Sequence, residues 1–130
     1  MLDALAAALA ADSRIAYALV FGSGVTGATH PDSDLDVAIG VAGAPPLDVI
    51  ELGGLAAKLE AAAGRRVDLV LLDEAPPALA YRIFRDGRTI LVRDKPALDA
   101  RRARAILEYL DFRPVEELCA RGVLAAAHGR

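Results

Sequence analysis

The sequence predicts a mixed α/β domain, with helices packed on a small mixed β-sheet. Three observations predict it. Short apolar runs of strand type alternate along the chain with segments of helical periodicity. The chain has 130 residues, the length of one domain with little room for a second. No internal repeat or low-complexity linker marks a boundary, so residues 1–130 read as a single domain.

Each element has its own signal. Leu2, Leu5, Ala6 and Leu9 fall on one helical face, so the chain opens with a short amphipathic helix that ends at Asp12-Ser13. Ile15 to Phe21 is a compact apolar run before Gly22, which predicts a buried strand. Residues 22–33, GSGVTGATHPDS, are rich in turn formers. Leu35, Val37 and Ile39 alternate, giving a second strand, and a loop follows from Gly40 to Pro46. Leu52, Leu55, Ala56, Leu59 and Ala63 predict a helix from about Leu47 to Ala63, with Gly64 just past its end. Gly53-Gly54 lies inside that helix and marks a place for a break. Val67 to Leu72 predicts a third strand. Pro76-Pro77 suits the start of a helix that buries Leu79, Ile83 and Phe84 and stops at Gly87. Thr89 to Val92 fits a short fourth strand. Pro96 opens a further helix whose expected inner face is Ala103, Ile106, Leu107 and Leu110. Pro114 is expected to separate it from a last helix, Val115 to Ala127.

Composition narrows the class. Alanine supplies 28 residues, so the core volume must come from the Leu, Ile, Val, Phe and Tyr clusters. No apolar run approaches the ~20 residues of a membrane span. The opening MLDALAAALAAD carries an acid and no basic stretch, unlike a signal peptide. A single cysteine, Cys119, excludes an internal disulfide and a cysteine-based zinc cluster, and fits a reducing cytoplasm. The net charge of −3 conceals a split: residues 1–81 carry −7 and residues 82–130 carry +4. Such a split points to a cation site in the first half and an anionic partner or surface for the second, although solvated faces would give it too.

The chemistry gathers around Asp34, Asp36 and Asp68. Asp34 and Asp36 stand two apart at a strand entrance, so both side chains point to one face with Cα atoms roughly 6.5–7 Å apart. Two carboxylates there repel each other, and a hard divalent cation such as Mg²⁺ between them relieves the repulsion. Asp68 is an acid inside an otherwise apolar strand, where an unpaired charge is costly. It can complete a two-metal site and accept the proton of an attacking hydroxyl, or it can pair with Arg65 or Arg66 on a solvated face. Gly22-Ser23 follows a buried strand, where a glycine backbone and a hydroxyl can hold phosphate oxygens. The combination is more specific than its parts: strand, Gly-Ser, ten residues, Asp-x-Asp on a strand, then a lone Asp in the next apolar strand.

The stretch GSGVTGATHPDSDLDVAI resembles the signature of the DNA polymerase β-type nucleotidyltransferases, and Ser33 immediately before Asp34 fits it. Within that superfamily the chain resembles the minimal nucleotidyltransferase (MNT) antitoxins of HEPN–MNT toxin–antitoxin pairs. The softer likeness of VDLVLLDEAPPALAYRIFRDGRTILVRD and ARRARAILEYLDFRPVEEL extends it over roughly residues 10 to 120. The resemblance implies a polymerase β-like nucleotidyltransferase core. Asp34, Asp36 and Asp68 would be the catalytic carboxylates and would bind two Mg²⁺ ions. Gly22, Ser23 and Ser33 would bind the nucleotide. The reaction would move AMP from ATP to a tyrosine hydroxyl of a partner HEPN RNase toxin, in a heteromeric complex. One departure from the family stands out: Gly24-Val25-Thr26-Gly27 brings no cation after Gly-Ser, so any basic contact to the phosphates must come from elsewhere.

Two other readings remain open: nucleotidyl transfer to a small molecule such as an aminoglycoside, and a non-catalytic antitoxin that neutralises by binding. A polymerase needs template-gripping domains for which the chain is too short. Tyr17, Tyr81 and Tyr109 lie in periodic apolar segments and are expected in the core. Cys119 is expected as a packed small side chain, and His30 in solvent. Arg101, Arg102 and Arg104 are expected on a solvated helix face. No interleaving of aromatic and basic residues marks direct nucleic-acid binding.

Overall fold

A computed structural model of the chain describes residues 1–22, 34–43 and 47–120. The elements are α1 (Leu2–Ala10), β1 (Ile15–Phe21), β2 (Leu35–Val41), α2 (Val49–Ala63), β3 (Val67–Leu71), a 3-10 turn (Leu72–Glu74), α3 (Pro77–Asp86), β4 (Arg88–Val92) and α4 (Lys95–Ala120). The strands form one mixed sheet in the order β3-β2-β1-β4. β1 runs antiparallel to β2 and β4. β3 runs parallel to β2, and α2 makes the crossover that a parallel pair requires.

Side-chain alternation along the strands sends apolar groups to both faces of the sheet. One face, with Val20, Leu35, Val37 and Ile39, packs against Leu5 and Leu9 of α1 and Leu55 and Leu59 of α2. The other, with Ala16, Leu19 and Ala38, packs against Ala80 and Ile83 of α3 and Leu98 and Ala105 of α4. The central strands are therefore covered on both sides, which is why they read as continuous apolar runs.

Local chemistry fixes the ends of the helices. Asp48 caps α2 in a reciprocal box: its carboxylate accepts from Glu51 N at 2.7 Å, and Glu51 Oε1 accepts from Asp48 N at 3.1 Å. Gly64 closes the helix in the left-handed conformation. Gly53-Gly54 does not break α2, because Leu55 and Leu59 hold the following turns in the core. Arg14 joins Asp12 at 2.7 Å to Glu51 at 2.9 Å, tying the α1–β1 turn to the start of α2. This guanidinium holds the Asp12 carboxyl at about 2.

The last helix differs from expectation in three ways. Pro114 does not divide it, and α4 continues from Lys95 to Ala120. The ring removes one N–H and crowds the carbonyl four residues back, yet residue 114 is exposed, where water can take the freed carbonyl. The expected inner face points outward: Ile106, Leu107 and Leu110 are exposed, while Leu98, Arg101 and Ala105 are buried. Arg101, expected in solvent, is 4% exposed. Periodicity identifies an apolar face of a helix but not what that face meets. Residues 121–130, including His128, lie outside the described residues, as do the side chains of Cys119 and its neighbours.

Candidate active site

Two neighbouring strands, β2 and β3, bring the predicted acids to one end of the sheet, beside the end of β1. Asp36 on β2 pairs with Phe21, the last residue of β1, on one side and with Asp68 of β3 on the other. By alternation Asp36 and Asp68 point to the face that carries α3 and α4, and Asp34, two residues earlier, is on the same face. Asp68 is exposed because β3 is an edge strand, so its charge is not stranded in the core.

The three acids form an electrostatic group. Burial is the main cause that pushes the Asp36 carboxyl above the usual carboxylate range, and the charges of Asp68 and then Asp34 push it further. Of the two neighbouring arginines, Arg66 turns to Asp34, with its Nε 3.9 Å away. The cause is the register: Leu35 N donates to Arg66 O at 2.8 Å, which sets Arg66 beside Asp34 at the strand entrance. As placed, no group of three or more His, Cys, Asp or Glu among the described residues is gathered tightly enough to hold a metal ion. The donor chemistry nonetheless suits a hard divalent cation, since all three are carboxylates and two disfavour ionisation of the third.

Gly22 shapes the same corner. It has φ +70°, and a Cβ added there would stand 2.5 Å from Asp36 Oδ2. The turn that ends β1 therefore passes against the carboxylate so closely that any side chain would displace it. Sequence reading singled out Gly22 for phosphate contact and missed this second demand, which appears only once β1 and β2 are paired. Ser23 and Ser33, the other expected nucleotide contacts, lie outside the described residues, as does His30.

A cavity of about 350 Å³ lies toward the other end of β1, lined by Tyr17, Asp73, Asp94, Arg101 and Arg104 together with small apolar residues such as Ala16 and Ala97. Arg101 Nη2 donates to Leu72 O at 2.8 Å, and the guanidinium lies 3.4 Å from Asp73 and 3.7 Å from Glu108. Arg101 thus ties α4 to the 3-10 turn. Tyr17, buried as expected, has its hydroxyl pushed up to about 12, first by burial and then by Asp73. Tyr81 and Tyr109 are only half-buried and stack on each other, with ring centroids 4.1 Å apart.

Comparison with known proteins matches this geometry to a family. The family model for polymerase beta nucleotidyltransferases matches residues 4–96. No curated protein matches the sequence. Among solved structures, a toxin–antitoxin complex with AMP-PNP is similar at a TM-score of 0.80 and 24% identity, over 95% of this chain and 98% of that one. A tri-AMPylated Shewanella oneidensis HEPN toxin in complex with MNT antitoxin gives a TM-score of 0.73 and 21% identity, over 95% and 99%. An MntA–HepT toxin–antitoxin structure gives 0.74 and 22%, over 95% and 96%. These likenesses establish the fold. Among the described residues no helix is long and apolar enough to cross a membrane.

Proposed function

The chain belongs to the polymerase beta nucleotidyltransferase family, and from that membership we propose that it is an antitoxin that moves AMP from ATP to a tyrosine hydroxyl of a HEPN RNase toxin. The observation that carries the reading is the pairing of Asp36 with Asp68 beside the Gly22 turn. The similar solved structures support the choice of nucleotide and partner, since one holds AMP-PNP and another an AMPylated HEPN toxin.

In this reading the Gly22 turn, with Ser23 and Ser33, holds the triphosphate against the end of the sheet. The acceptor oxygen attacks the α-phosphorus. The bond from that phosphorus to the bridging oxygen of the β-phosphate breaks, and pyrophosphate leaves. Asp68, exposed on its edge strand, takes the acceptor's proton. Mg²⁺ bound by Asp34, Asp36 and Asp68 would supply charge neutralisation at the triphosphate. Asp36, the most enclosed of the three, fixes the position of the group, and a bound cation would favour its ionised form.

The test is the mass of the toxin. Incubation of this protein with ATP, Mg²⁺ and a HEPN toxin should add one or more AMP units to a toxin tyrosine. Asp36→Ala should leave the toxin unmodified. Neutralisation of the toxin with no change in its mass would replace transfer by simple binding.

A further inference from the structure

α4 carries an apolar seam that faces outward. Ala100, Ala103, Leu107, Leu110 and Pro114 follow one another in alternating steps of three and four residues, and all are exposed. Leu107 is 63% exposed and Leu110 51%. That spacing is the a/d repeat by which two helices pair. Ile106, also exposed, widens the seam on one side. Arg104 and Asp111 flank it on the other.

We propose that this seam pairs two copies of the chain, with their α4 helices antiparallel about a two-fold axis at Leu107. Leu107 then meets its own counterpart across the axis, and Ala103 of each copy lies against Leu110 of the other. Arg104 comes beside Asp111 of the second copy. The interface is self-complementary, as two-fold symmetry requires.

Charge selects both the occupant and the orientation. Residues 95–106 of α4 carry a net charge of +3, and residues 107–120 carry −3. Parallel pairing would set like charge against like, whereas antiparallel pairing sets each half against its opposite. The chain itself uses part of this gradient, since Arg101 is buried against Asp73 and Glu108 and Arg102 lies over Phe84, but the gradient as a whole gains nothing from the helix. It opposes the macrodipole, which favours acids near the N-terminus and bases near the C-terminus. The ion pairs Lys95–Asp99 and Arg104–Glu108 also place the cation first, the weaker order along a helix. At home Arg104 makes long contacts: 3.3 Å to Glu108, 3.5 Å to the Asp73 carbonyl and 3.8 Å to the Asp73 carboxylate. Asp111 has no ion pair among the described residues. A second copy brings an opposite charge to Asp111 and a further one to the exposed Arg104.

Sedimentation of the whole chain over a range of concentrations tests the pairing. The expected result is a reversible shift from one chain to two. Leu107→Glu should weaken the dimer by at least roughly tenfold while leaving the circular dichroism spectrum unchanged. Arg104→Glu and Asp111→Arg should each associate poorly alone, because each sets like charges together twice. Mixed with each other they should recover a dimer of one chain of each kind, because both contacts then join opposite charges. A chain that stays single at every concentration overturns the proposal, as does a mixture no tighter than its separate components. If Leu107→Glu weakens only the complex with a HEPN toxin, the face belongs to that partner and the proposal falls.

Discussion

Asp36 is half-buried beside Asp68 and in the field of Asp34, and folding has to accept all three charges at one corner. The sign of the consequence follows from proton binding. The folded chain holds the Asp36 proton more tightly than the unfolded chain, whose carboxyl has its usual value near 3.8. As pH rises from 3.8 through the raised folded value, the ionising carboxylate therefore costs stability, and the deficit persists at neutral pH. Asp36→Asn should accordingly raise the melting temperature at neutral pH without metal, and abolish transfer. The gain should shrink as the pH falls through that window. Equal melting temperatures at neutral pH would show that the three carboxylates do not strain the fold. Gly22 faces a related constraint. In Gly22→Ala the left-handed backbone costs about 1–2 kcal/mol, and the added Cβ displaces Asp36 Oδ2. The chain should still fold, with transfer reduced by at least roughly tenfold, as expected for misplaced reacting groups. The motif marked Gly22, Asp34 and Asp36 in the sequence. The contact between Gly22 and Asp36 was not legible, because it joins two strands whose pairing is a long-range event.

At the level of elements, α4 departs most from its sequence. Its apolar positions suggested an inner face that the structure turns outward, and its arginines suggested a wet face that in part is dry. Arg101 decides the orientation. It is 4% exposed on the buried side of α4, and its head reaches the carbonyl of Leu72 and the carboxylate of Asp73. Desolvation holds its pKa below the usual arginine value, so the burial is partly opposed by the charge itself. Truncation in Arg101→Ala should cost roughly 3 kcal/mol in urea unfolding, since it opens a void and leaves the Leu72 carbonyl with Ala75 N as its remaining donor. Arg101→Met, which keeps the apolar stem, should recover at least half of that. If both variants cost the same, the guanidinium contacts carry the tie. If neither costs stability, α4 is anchored elsewhere. The other helices were legible because their signals are local, such as the Asp48–Glu51 cap and the Gly64 stop of α2.

Across the whole molecule, the two layers of helices leave one end of the sheet with its acids and Gly22. Ligand binding there should couple to global stability, because only the folded chain brings β1, β2 and β3 together. ATP with Mg²⁺ at roughly a hundred times its Kd should add about 2.7 kcal/mol to the unfolding free energy. The same addition to Asp36→Ala should give a much smaller shift, and chelating the metal should remove most of it from the parent chain. An equal shift in both would place nucleotide binding away from the three carboxylates.

The sequence by itself determined the four strands, the first three helices, and the Gly22-Ser23 and Asp34-x-Asp36 pattern that named the family. These are local properties, set by the two-residue period of a strand, the 3.6-residue period of a helix and the chemistry of turns. Only the tertiary structure decided that Asp68 stands in register with Asp36, that Arg66 lies beside Asp34, that Arg101 is buried and that the Leu107 seam faces outward. Each of these depends on which face meets which. That choice is made by packing between segments far apart in the chain, where a period marks a face as apolar without naming its neighbour.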